Sequence, residues 1–447
     1  MSSYLRVLRH PDFRYLFLGQ SASVVGDQVV LVALALFVTR LTGSPTDLGL
    51  ILGAQMLPLV ALILFGGVWA DRLPRQRIMI ATDLARAALH ATLAVLIFTG
   101  LVRVWQMVAI EALFGAAQAF FQPAYAGLLP QTVPEHLIQD ARALTESTAN
   151  LAFMLGPALA TALVLGFGAG EAFALDAATF LLSALLLRRV RARPRGEAPA
   201  TATVMRELRS GWREVRARSW VWVTIAAFAG AVLCVYAQWY ALAPVITRDV
   251  YGSAGVFGLL ESVGGAGAVC GALAGLRFRP ARPLRTGLLL VLAWPVEAGA
   301  LAAGSPLVAV TACAFATGFG FALFMIWWET ALAHHVPPAA LSRVSAYDWM
   351  GSLALLPLGY FLAGPLAAQL GPRVVLGAGS AVGLVLLALA LLPRSTRELG
   401  QASPLVPAAG AEPGSIQQLA GELGVEAGRE PQVADVDSLV RAVNERR

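Results

Sequence analysis

Lysine is missing altogether, so all 33 basic residues of this 447-residue chain are arginine. Charge of either sign is scarce: 13% of residues carry it, against roughly 25% in a water-soluble domain, and that scarcity excludes a soluble fold. Cysteine is nearly absent too. Cys234, Cys270 and Cys313 all fall inside apolar runs, which excludes a disulfide framework. Also missing are a zinc-protease helix motif, a nucleotide-binding glycine loop with its lysine, and a nucleophile elbow. No enzyme activity, cofactor or metal is therefore expected, and His334-His335 has no paired ligand motif. A pI near 9.6 would suggest nucleic acid in a soluble protein, but these arginines have another placement and no nucleic-acid partner is expected.

What is present is apolar length. Hydrophobic residues make up 57% of the chain and the mean hydropathy is +0.69. Runs long enough to span a bilayer are read at Tyr15 to Val38 and near 48–70, 78–100, 104–128, 147–168, 172–187, 220–245, 254–276, 286–303, 306–332, 346–368 and 374–392. These predict an all-α membrane protein of twelve spans. The first run is too long for a signal-peptide core and lacks a small-residue cleavage site, so it is expected to stay as a helix. With both termini on one side, Arg40, Arg103, Arg248 and Arg373 are the arginines of the opposite loops, Arg86 lies within a span, and all others crowd one face. The positive-inside rule makes that face cytoplasmic, in a multi-pass protein of the cytoplasmic membrane.

The chain is organised around Gly66 to Arg77, GGVWADRLPRQR. Two spans are joined there by a very short charged loop, with Pro74 forcing the turn. Arg72, Arg75 and Arg77 cannot enter hydrocarbon cheaply and hold the loop at the surface. Gly67 permits close helix approach, and Asp71 can pair with an arginine or a helix N-terminus. This pattern resembles the signature loop between helices 2 and 3 of the major facilitator superfamily. The resemblance implies two pseudo-symmetric six-helix bundles and a cytoplasmic latch formed by Gly67, Asp71, Arg72, Arg75 and Arg77. A charged tight turn between any two membrane helices would look similar.

Internal repetition points the same way. Gly67 recurs as Gly271, Val133-Pro134 as Val336-Pro337 and Gly156 as Gly359, at nearly one offset, as a parallel duplication would give. The expected organisation is a bundle over 1–187, a basic linker over 188–219, a second bundle over 220–393 and a cytoplasmic tail over 394–447. Within the linker Val204, Leu208, Trp212 and Val215 share one helical face, which suits a helix lying in the headgroup layer.

The stretch FFQPAYAGLLPQTVPEHLIQDARALTESTANLAFMLGPALATAL resembles the branch that includes macrolide efflux proteins and the enterobactin exporter. Gly156-Pro157 matches the core of that superfamily's antiporter motif and is expected to bend helix 5. Ala160 and Thr161 replace its glycines, and the arginine often found on helix 4 of drug/proton antiporters is absent. Helix 4 carries Glu111, Gln118 and Gln122 instead.

Ionisable groups within spans cost roughly 2.5 to 3.5 kcal/mol at mid-helix unless shielded, so each is a site candidate. Asp27, near the middle of helix 1, leads, either for the coupled proton or for a cationic group; its alternative is a buried polar lock. Glu111 and Glu261 follow, both reachable from an outer vestibule. Asp83 and Arg86, three apart, are expected to pair with each other, and Glu297 is assigned a peripheral place. Tyr236 and Tyr240, one turn apart, suit a cavity face. Trp327 and Trp328 are read as interfacial anchors.

The sequence thus points to a monomeric secondary transporter, handling a small lipophilic drug or metabolite and protons within the lipid bilayer. Export by proton antiport is the leading reading. Uptake by symport and a transport-inactive sensor or scaffold acting through its tail remain open, the latter because Val433, Val436, Leu439, Val440 and Val443 can form one amphipathic helix.

Overall fold

The computed structural model describes residues 6–191, 204–275 and 277–399, and every regular element in them is helical. The first six helices are α1 (Pro11–Leu41), α2 (Pro45–Arg72), α3 (Arg75–Phe98), α4 (Val104–Leu128), α5 (Ile138–Gly166) and α6 (Ala169–Leu187). Their connections are short because local chemistry ends each helix sharply. Ser44 accepts a hydrogen bond from the Asp47 N–H at 3.2 Å, and Pro45 fills the first turn, where no N–H is needed. Pro74 stands at the N-terminal cap of α3 and turns the chain directly out of α2.

After α7 (Val204–Ala217) come α8 (Ser219–Ala231), a π-helical turn (Val232–Tyr236) and α9 (Ala237–Tyr251), which together make one long span. They are followed by α10 (Gly255–Gly275), α11 (Pro283–Val291) with α12 (Ala293–Ala303), α13 (Leu307–His335), α14 (Pro338–Leu353) with α15 (Leu356–Leu370), and α16 (Pro372–Leu389). Among the described residues eleven helices are long and apolar enough to cross a membrane. A twelfth is α5, if its two arms, bent by 44° between Phe153 and Leu155, are one span. Pro157 has no N–H to give the Phe153 carbonyl, so the kink falls where the expected Gly-Pro bend requires it.

Two helices begin ahead of the expected spans. Helix α5 starts at Ile138 rather than near 147, and α14 starts at Pro338, although the eleventh span itself, Tyr347–Leu370, begins as expected near 346. Their first turns carry Gln139, Asp140 and Arg142, and Ser342 and Arg343. Hydropathy sees only the apolar part of a helix that continues into water.

Small residues set the packing. A Cβ at Gly66 would lie 2.2 Å from the Ala119 carbonyl oxygen, and one at Gly115 would lie 1.9 Å from that of Gln55, so α2 and α4 touch backbone to backbone. The same device joins α10 to α13, where Cβ atoms at Gly267 and Gly318 would lie 2.1 and 1.8 Å from the carbonyl oxygens of Phe315 and Gly264. These are spans 2 with 4 and 8 with 10, equivalent pairs in a duplicated fold.

The halves meet at the arginine-poor end. Gly49 faces the Tyr360 carbonyl, Gly364 faces Thr46, and Gly258 faces Thr161. Arg248 donates to the Thr39 carbonyl at 3.5 Å. One continuous apolar core joins the second half to Val29–Val38, Leu48–Leu52 and Ile110 of the first. At the arginine-rich end the first half has its own core around Phe13, Met79, Phe121 and Leu187.

The amphipathic helix α7 docks through buried Val215, while Trp212 stays 51% exposed beside Tyr347. Arg218 ties it down, bonding Glu214 at 2.7 Å and the His335 carbonyl at 3.2 Å. The expected tail helix at 433–443 lies outside the described residues.

Candidate functional site

Four helices of the first half, α1, α3, α4 and α6, enclose a cluster of charged groups. Glycines on α1 admit α6 at close range: a Cβ at Gly26 would lie 2.2 Å from Asp176 Oδ1, and one at Gly19 would lie 3.0 Å from Ser183 Cα. Across that contact runs a polar chain. Gln20 donates to Ser183 Oγ at 2.8 Å, Ser183 donates to Asp83 Oδ2 at 2.6 Å, and Arg86 donates to Asp83 Oδ1 at 2.5 Å. The guanidinium of Arg86 lies 4.2 Å from the ring centres of Phe121 and Phe180, a cation–π setting that suits a desolvated arginine. Asp83 and Arg86 therefore pair as the sequence predicts.

Nearer the arginine-poor end stands His90, which the sequence reading overlooked. Its Nδ1 is 2.5 Å from Asp176 Oδ2, and its Nε2 is 3.6 Å from Glu111 Oε1. The ring stacks on Phe114 with centroids 4.2 Å apart and an interplanar angle of 4°. Phe173 meets it edge-on. His90, Glu111 and Asp176 are all buried, at 1%, 0% and 0% exposure. His90 Nε2, both Glu111 oxygens, Asp176 Oδ1 and Arg86 Nε have no hydrogen-bond partner among the described residues. Orphaned buried polar atoms are rare, and here they gather at one place.

Asp27 is half-buried beside this cluster, with Asp176, Arg86, His90 and Asp83 as its charged neighbours. Among the described residues no hydrogen bond or ion pair reaches it. Thus the structure brings Asp27 and Glu111 into one network, joined by residues that look unrelated in sequence. The kinked α5 passes next to it, since a Cβ at Gly156 would lie 2.4 Å from Gln28 Cβ. Gln118 is half-buried and Gln122 exposed on α4, neither joining the cluster.

The second half holds its own carboxylate. Glu261 on α10 accepts from Trp239 Nε1 at 2.7 Å and from the Tyr240 hydroxyl at 2.8 Å. Tyr236 packs on Tyr240 with centroids 4.7 Å apart and edge-on to Trp294 at 6.3 Å. Tyr236 closes the π-helical turn; such turns are frequent at functional sites. It is half-buried, whereas Tyr240 is buried with its hydroxyl committed to Glu261. Glu297, assigned to the periphery, is instead 6% exposed on α12. Trp327 and Trp328 are likewise corrected: both are buried, and Trp328 Nε1 donates to Asp348 Oδ2 at 2.8 Å. Their position at a helix end suggested an interface, but Trp327 meets Phe278 at a tilt and Trp328 stacks on Phe324.

At the arginine-rich end, Arg75 donates to the Gly127 carbonyl of α4 at 3.1 Å. A Cβ at Gly127 would lie 2.4 Å from Arg75 Nε. Gln76, not singled out from sequence, donates to the carbonyls of Leu187 and Val190 at 2.6 and 2.7 Å, tying the loop to the end of α6. Arg72 and Arg77 are exposed. The surroundings of the Gly67 and Asp71 side-chain positions lie outside the described residues. Among those residues no group of His, Cys, Asp and Glu is placed to hold a metal ion.

Comparison with known proteins gives this architecture its context. The chain is 31% identical over 173 residues to an uncharacterized MFS-type transporter, YfiS, of Bacillus subtilis strain 168, covering 38% of this chain and 40% of that one. It is 24% identical over 244 residues to macrolide efflux protein A of Streptococcus pyogenes, covering 54% and 59%. These matched segments span about two-fifths and three-fifths of those relatives. The match to the multidrug efflux pump Tap of Mycolicibacterium fortuitum is 26% over 410 residues, covering 88% and 98%. Among solved structures, a crystal structure of the nucleoside transporter NupG superposes with a TM-score of 0.61 at 13% identity, covering 88% and 98%, a likeness of fold alone. The transmembrane secretion effector profile matches residues 2–302. With its helical spans, paired glycine crossings and buried charges, the chain belongs to the transmembrane secretion effector family of major facilitator transporters.

Proposed function

We propose that this transporter exports a small lipophilic compound, a drug or a metabolite, across the cytoplasmic membrane in exchange for protons. The arginine-rich end faces the cytoplasm, and residues 1–187 and 220–393 act as two bundles that rock about a central path. The observation that carries this reading is the buried cluster beside Asp27. Among the described residues, Arg86 and His90 are the basic groups facing Asp27, Asp83, Glu111 and Asp176, so protons can be taken up there without leaving extra charge in hydrocarbon.

The core continuous across the arginine-poor end corresponds to a state closed toward the outside and poised to load from the cytoplasm. Glu261, bonded to Trp239 and Tyr240 with Tyr236 packed on Tyr240, offers a carboxylate among aromatic side chains, which suits a lipophilic cation. Relatives whose names describe macrolide and multidrug efflux support the direction. The chain functions as a monomer, and Gly67, Asp71, Arg72, Arg75 and Arg77 latch its cytoplasmic end.

The test is ethidium accumulation in an efflux-deficient bacterium expressing the protein, with and without a protonophore. Lower accumulation that the protonophore abolishes is the expected outcome, and Asp27→Asn should remove it while leaving the membrane level of protein unchanged. Accumulation that rises on expression would establish uptake instead.

A further inference from the structure

The geometry points to His90 as a proton switch that connects Glu111 to Asp176 one carboxylate at a time. This rests on the proton-antiport reading above and names the group through which the proton passes. Three observations carry it. First, His90, Glu111 and Asp176 come from three different helices, α3, α4 and α6, and meet in one layer. That layer is about 10 Å inside the arginine-poor ends of those helices at 1.5 Å per residue.

Second, the two arms are unequal. The Asp176 contact is made at 2.5 Å, whereas 3.6 Å to Glu111 exceeds hydrogen-bond reach. In this conformation the imidazole is joined to Asp176 and parted from Glu111. Third, of the five unsatisfied atoms in the cluster, three sit on the open arm, His90 Nε2 and both Glu111 oxygens, the others being Asp176 Oδ1 and Arg86 Nε. A purely structural cluster would have every one of them paired.

The step balances. When α4 and α3 close the gap, protonated Glu111 gives its proton to His90 Nε2 and becomes a carboxylate, leaving an imidazolium. The imidazolium releases its Nδ1 proton to Asp176, which becomes a neutral acid, and the ring is left as the other neutral tautomer. The first tautomer returns by proton exchange with water admitted when the arginine-poor end opens, one proton being taken up at Nδ1 as the one on Nε2 is given up. One proton has moved from Glu111 to Asp176, and from there it can reach Asp27, whose half-buried carboxylate has Asp176 as its foremost charged neighbour. The groups facing His90 are Asp176 and Glu111; Asp27, Asp83 and Arg86 complete the charges around it. Phe114, Phe173 and Phe180 wall the ring off from water.

A test that needs no substrate follows the conformational equilibrium. Spin labels at Leu101 and Val308, exposed by 65% and 82% at the arginine-poor end of each half, report closure by electron–electron distance in nanodiscs between about pH 5 and pH 9. Wild-type protein should change its closed-to-open ratio by about tenfold for each coupled proton per pH unit across the transition. In His90→Gln the response should vanish, while His136→Gln, outside the cluster, should keep it. Glu111→Gln preserves shape and removes only the exchangeable proton, so it must lose the response as well. A wild-type titration in either His90→Gln or Glu111→Gln overturns the switch and leaves proton antiport standing. A wild-type protein indifferent to pH overturns both.

Discussion

One methyl group added at Gly49 or at Gly364 should hold the arginine-poor end open. In the closed arrangement a Cβ at Gly49 would lie 2.4 Å from the Tyr360 carbonyl oxygen, and one at Gly364 would lie 2.2 Å from Thr46 Cα. Both obstacles are backbone, which cannot rotate away. The two helices must therefore part by about 1 Å to restore ordinary contact, and overpacking of this kind costs about 1–3 kcal/mol. Only the closed state suffers that cost, so the equilibrium should move toward opening by about 5- to 150-fold. Gly49→Ala and Gly364→Ala are measured in a background lacking Cys234, Cys270 and Cys313, with a cysteine at Asp47 labelled by a membrane-impermeant maleimide. Labelling should accelerate and protonophore-sensitive export should fall. Gly377→Ala is the control, because its Cβ would meet Ala302 Cβ at an ordinary 3.5 Å. Unchanged labelling in both test variants, with export intact, would refute the claim that these glycines seal the arginine-poor end.

Two further outcomes are expected. Glu261→Gln replaces a charge-assisted acceptor of Trp239 and Tyr240 by a neutral one. Such bonds differ by about 1–2 kcal/mol, so ethidium binding, followed by fluorescence polarisation in detergent, should weaken by about tenfold, and equal affinity would remove Glu261 from the substrate site. Gly127→Ala puts a methyl into the space of the Arg75 guanidinium and breaks its bond to the Gly127 carbonyl; export should slow with normal expression, and an unaltered rate would show that this contact does not govern the cytoplasmic end.

Much of the site was legible one residue at a time but not as a set. Asp27, Glu111 and Glu261 stand out because a carboxylate in an apolar run is costly wherever the chain goes. His90 does not stand out, since one histidine in a span reads as ordinary packing until Asp176 and Glu111 are found on either side of its ring. Trp327 and Trp328 misled for the related reason that position along a helix says nothing about which neighbour covers its face. Gln76 escaped notice because its role depends on two carbonyls at the end of α6, far away in sequence.

The sequence alone determined that the chain is a stack of membrane helices, where they run, where the arginines collect and that Pro157 must kink α5. Hydropathy, charge and proline act within a few residues of themselves, so those properties need no partner. Only the tertiary structure decided which carboxylates share a histidine, which glycines let helices touch and which end of the two halves is shut. Each of those depends on distances between helices far apart along the chain, set by packing that no local pattern records.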